Sequence, residues 1–102
     1  MNNVKFVGHL NREGMKALSE GDLMNARFLL YQALDKCRLF KSPLNEAKIR
    51  NNLGLVLQQD GDLNSASENF QAALKIVRDE VGEETGIFKR IETNYRRCGC
   101  AA

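Results

Sequence analysis

Few residues in this chain are of types that could do chemistry, and the tightest group is Cys98-Gly99-Cys100. Two thiols one residue apart can share a metal ion or close a redox disulfide. The rest of the chain offers them little help, since Cys37 is the third cysteine and His9 the single histidine. With no second cysteine pair, residues 98–102 read as a flexible tail carrying two ordinary thiols. The acid pairs Asp79-Glu80 and Glu83-Glu84 fall at a helix end and a loop, where charge runs are usually solvated. No glycine-rich phosphate loop, metal-ligand spacing or nucleophile elbow is present. Neither an enzyme nor a cofactor is expected.

Whatever the chain does must then come from the surfaces its elements build. At 102 residues it is long enough for one domain with a thin hydrophobic core. Apolar residues make up 43% and charged residues 27%, which excludes a disordered chain. Trp is absent, Pro occurs once, and Leu and Ala are frequent, so helix is favoured over sheet. A formal charge of +2 is too small to argue for nucleic acid or an acidic membrane surface. Lys89, Arg90, Arg96 and Arg97 cluster near the end, but with only Phe88 and Tyr95 beside them they read as a solvated face. Apolar runs such as Phe28-Leu29-Leu30-Tyr31 are far too short to span a bilayer, and no signal-like segment follows Met1. The odd cysteine count argues against a disulfide framework, so a cytoplasmic setting is expected.

The chain also repeats itself. Displaced by 40, residues 11–38 fall on 51–78 with nine identities in 28 positions, against roughly two from composition alone. Asn11, Gly14, Gly21, Asp22, Leu23, Ala26, Ala33, Leu34 and Arg38 each meet their own kind. These are residues a helical hairpin needs. Gly21 and Gly61 can take the left-handed turn, and Asp22 and Asp62 can cap the helices that follow. Ser42 can cap another, with Pro43 at its first position. Gly14, Ala26 and Ala33, like Gly54, Ala66 and Ala73, are small where two helices must approach closely. The apolar positions place a helix over 4–20, a return helix ending near Cys37, and a second such pair ending near Gly82. Cys37 falls on the apolar side, as a core residue. A fifth helix over 84–97 would cover the last apolar face.

The pattern Leu53-Gly54-x2-Leu57-x3-Gly61-x-Leu63-x2-Ala66-x3-Phe70-x2-Ala73-Leu74, with its partial copy from Gly14 to Leu34, resembles the tetratricopeptide-repeat signature. The longer period and the phrases Asn51-Asn52-Leu53-Gly54-Leu55 and Val81-Gly82-Glu83 are similar to the long repeats of kinesin light chains. Glu13 and Ala17 depart from the signature, and the proline expected at each repeat's end is replaced by Arg38 and Arg78. The resemblance implies an all-α fold: two hairpins (residues 4–41 and 43–81) and a capping helix (84–97) in a right-handed α–α superhelix, forming one domain over 1–97.

It also implies a function. First helices of such arrays line a concave groove, which places Asn11, Arg12, Met15, Leu18 and Ser19 there from the first repeat. Lys48, Asn51, Asn52, Leu55, Gln58 and Gln59 would join them from the second. The set suits an extended peptide, with amides to bond its backbone and Met15 and Leu55 for apolar contact. Asn52 aligns with a carboxylate-clamping Asn of the chaperone-binding members. Asn11 and Met15, however, stand where that clamp has Lys and Asn, so chaperone tails are not expected. A protein-binding adaptor is the reading that follows. The alternative is a homodimer formed through the ends of the array, where Phe6 and Val7 or Ile87 and Phe88 could be left partly exposed.

Overall fold

A computed structural model describes residues 3–99, and in them the chain is five α-helices without strands. They are α1 (Asn3–Ser19), α2 (Leu23–Leu39), α3 (Pro43–Gln59), α4 (Leu63–Val81) and α5 (Gly86–Arg97). The boundaries follow local chemistry. Asp22 and Asp62 each accept from the backbone N–H three residues on, at 3.2 Å, satisfying a donor that the first helical turn leaves free. Gly21 and Gly61 precede them with φ of 79° and 84°, the left-handed turn that closes α1 and α3. Thr85 caps α5 by accepting from Phe88 N–H. Ser42 behaves otherwise than its position suggests. It sits at the start of α3 without capping it, because its hydroxyl accepts from Asn45 Nδ2 instead.

Adjacent helices pack as hairpins, α1 on α2 and α3 on α4, and α3 also packs along α2. The glycines set the approach. A Cβ at Gly14 would lie 2.8 Å from Leu30 Cγ, and one at Gly54 would lie 2.5 Å from the Phe70 ring. Leu30 and Phe70 fill the space each glycine leaves, and both are fully buried. Ala26, Ala33, Ala66 and Ala73 are likewise sealed from solvent, so the matched small residues do sit at helix contacts. A Phe or Leu side chain taken out of water this way contributes about 1.5–3 kcal/mol of transfer free energy.

The helices form two layers. Among the described residues, α1 touches α3 and α3 touches α5, whereas α2 and α4 do not meet. One layer is therefore drawn together and the other splayed, which curves the array toward α1, α3 and α5. The shortest dimension, 19 Å, is about two helix diameters. The architecture is an all-helical array whose packing suits a helical repeat. No helix among the described residues is long and apolar enough to cross a membrane.

Candidate functional site: the concave face

The inner layer presents one side of α1, α3 and α5 to solvent, and its polar residues bond across helices. Asn52 Nδ2 donates to Asn11 Oδ1 at 2.7 Å, joining α3 to α1. Asn94 Nδ2 donates to Asn51 Oδ1 at 3.0 Å, joining α5 to α3. These two amide pairs are rungs between neighbouring helices. Asn51 is largely buried yet still borders the groove between α3 and α5, so it stands in the wall where it was expected, with its amide oxygen already engaged. That oxygen accepts from Asn94, 43 residues away, because α5 packs alongside α3 there. Asn52 and Asn11 are half-buried, each with part of its capacity spent.

Three depressions lie along this face. One of about 580 Å³ is bordered by Gly8, Asn11, Arg12 and Lys48. A second, about 250 Å³, sits between α3 and α5 and is lined by Lys48, Asn52, Ile87 and Arg90. The third, about 510 Å³, is lined by Leu18, Leu55, Gln58, Gln59, Asn94 and Arg97. Sequence reasoning thus placed Arg12, Lys48, Leu55, Gln58 and Gln59 on a common surface with Asn11 and Asn52. Met15 is half-buried and packs against the core, and Ser19 bonds back to the Lys16 carbonyl at 2.7 Å; neither lines a depression.

Missed from the sequence were Asn94, Arg90 and Arg97. The basic cluster of α5 read as one solvated face, yet it divides. Lys89 and Arg96 pair with Glu84 and Glu92 at 3.8 and 3.5 Å. Arg90 and Arg97 turn into the concavity. A signal existed: Ile87, Arg90, Asn94 and Arg97 follow a spacing of three, four and three, which is one stripe of a helix.

The electrostatics of the face are one-sided. Arg12, Lys48, Arg90 and Arg97 point into it, and among the described residues no carboxylate lines any of the three depressions. None of the four takes part in an ion pair among the described residues. Other cations are paired, Arg27 with Asp60 and Arg50 with Glu46 among them, both under 3 Å.

The other candidates resolve differently. Cys37 is fully buried and free, and burial, with Glu46 adding to it, pushes its thiol pKa up, away from reactivity. Cys98 was expected to begin a loose tail. It is instead buried beside the core as the residue capping α5, its sulfur is in a disulfide, and it lies 3.0 Å from the Tyr95 carbonyl oxygen. The packed unit therefore runs past Arg97; Cys100 lies outside the described residues. No group of three or more His, Cys, Asp or Glu among the described residues could hold a metal ion. At the array ends Val7 and Phe88 are buried, whereas Phe6 and Ile87 pack against the core and stay partly exposed.

Compared with known proteins, the chain matches no family model, no curated protein and no solved structure.

Proposed function

We propose that this chain is a binding module of the tetratricopeptide type, a right-handed superhelical array that holds an extended, acidic segment of another protein along its concave face. It acts by recognition and not by catalysis, in a cytoplasmic setting. The reading rests on one observation: among the described residues, four cations outside any ion pair face a curved surface whose depressions no carboxylate lines. Such a surface is destabilised by its own repulsion until an anionic chain enters it, and it steers that chain during encounter. Leu18 and Leu55 supply apolar contact at one end, and Gln58 and Gln59 can bond a peptide backbone there. An extended chain fits better than a folded one because the depressions are separate, shallow and strung along successive helices.

Fluorescence anisotropy against labelled extended peptides of acidic, neutral and basic composition tests this. Acidic peptides are expected to bind, with affinity that falls as salt rises. The double variant Lys48→Glu with Arg90→Glu should abolish binding while leaving helicity unchanged, since both side chains are exposed. Equal binding of neutral and acidic peptides would refute the electrostatic reading.

A further inference from the structure

The outer face of α2 carries an apolar stripe that the fold does not require. Met24, Phe28, Tyr31 and Leu39 are 84, 62, 41 and 72% exposed. Their spacing of four, three and eight puts them on the side of the helix away from Ala26, Leu30, Ala33 and Cys37, which face the core. The repeat supplies an internal control. At the same positions of α4, forty residues on, stand Asn64, Glu68, Gln71 and Asp79, all polar. The same helical scaffold is therefore built stably with a polar back, and the first hairpin departs from it at all four positions. A shallow depression of about 500 Å³ runs along the stripe, bordered by Arg27, Gln32, Asp35 and Asp60.

We infer that this stripe is the interface of a symmetric dimer, in which α2 lies antiparallel against α2 of a second copy. Its charges point to a second copy as occupant. Arg27 and Asp35 flank Tyr31 at four residues on either side, about 6 Å along the axis. A two-fold axis at Tyr31 sets Arg27 of each copy level with Asp35 of the other, as an isologous contact demands. The same operation brings Met24 level with the aliphatic stem of Arg38. Arg27 already holds Asp60 at 2.7 Å, and a guanidinium has donors for both carboxylates. The concave face, carrying one sign of charge, opposes its own copy. The α2 face complements it. The stripe amounts to roughly 500 Å² of accessible apolar surface, near the top of the range for ordinary monomers. That is below the ~800 Å² per partner of a standard stable interface, so the dimer is a weak, reversible one. The two grooves then open on opposite sides of the assembly.

Sedimentation velocity over a concentration series is the test. The weight-average mass is expected to rise from one chain of 11.5 kDa toward two and to stop there. Phe28→Glu should weaken association by about tenfold or more, as loss of a central aromatic does. Its helical signal should not change, because the side chain is exposed. Tyr31→Cys should give a covalent dimer on mild oxidation, whereas Gln71→Cys, at the matching place on α4, should not. Lys48→Glu with Arg90→Glu should leave the mass profile untouched, which separates this outcome from failure of the groove reading. A chain that stays monomeric throughout, assembly beyond two copies, or a dimer indifferent to Phe28→Glu would each overturn the proposal.

Discussion

The two hairpins are the same object seen from inside and different objects seen from outside. Toward the core, α2 and α4 carry Ala, Ala, Leu and a large residue at matched places, each large residue seated over a glycine of the helix before it. Toward solvent, Met24, Phe28, Tyr31 and Leu39 face Asn64, Glu68, Gln71 and Asp79 across the repeat. Close packing leaves little latitude where helices touch, so the repeat is preserved there. Nothing mechanical constrains the outer face, and there the copies have separated. A difference that packing does not dictate is the one to examine for a partner.

Substitution at paired positions can break this comparison. Phe70→Ala should cost the most, about 3–5 kcal/mol, and Leu30→Ala about 2–4 kcal/mol, from lost transfer energy plus the cavity left behind. The order is expected because Phe70 packs against α3, the helix that touches all four others, and against Tyr95 edge-on at 6.4 Å. Urea unfolding in which Leu30→Ala is the more damaging would place the centre of stability in the first hairpin.

A smaller effect sharpens the same contrast. Gly→Ala within an open helix gains up to about 1 kcal/mol. At Gly54 the new methyl would meet three ring atoms of Phe70 at 2.5–2.8 Å, so Gly54→Ala should destabilise by about 1–3 kcal/mol. At Gly14 the close contacts are with the Leu30 side chain, which can turn aside more readily than a ring, and the Ala26 carbonyl oxygen lies at an ordinary 3.5 Å, so Gly14→Ala should cost less. Thermal melts showing Gly54→Ala as the more stable protein would mean the ring is not seated there. Smallest of all, Asp22→Ala and Asp62→Ala should each lose about 1 kcal/mol by removing identical caps. Unequal losses would show that the two turns, alike in geometry, differ in what they support.

Much of this was legible beforehand, and for a physical reason. Turn glycines, caps and small contact residues are specified locally and repeat with the chain, so Gly21-Asp22 and Gly61-Asp62 announce themselves. The five helices followed, with ends shifted by a residue or two. The site was only partly legible. Lys48, Asn51, Leu55, Gln58 and Gln59 were placed by the family resemblance, but the bond from Asn94 to Asn51 was not foreseen. That bond depends on how α5 docks, and α5 does not continue the forty-residue pattern. The cations Arg90 and Arg97 were lost in a run of basic residues that phase alone could have divided. The outer stripe was overlooked too: Phe28-Leu29-Leu30-Tyr31 reads as one apolar run until α2's rotation shows that Leu30 points in while Phe28 and Tyr31 point out.

The paired asparagines of the inner layer have a mechanical corollary. Because Asn11–Asn52 and Asn51–Asn94 fasten successive helices on the inside of the bend, the curvature is held before anything arrives. If the face holds an acidic segment as proposed, that guest meets a ruler with fixed graduations, its cations set at intervals the guest must match. Little ordering entropy is left to lose, and a strand with the right charges at the wrong pitch cannot stretch the host to suit itself.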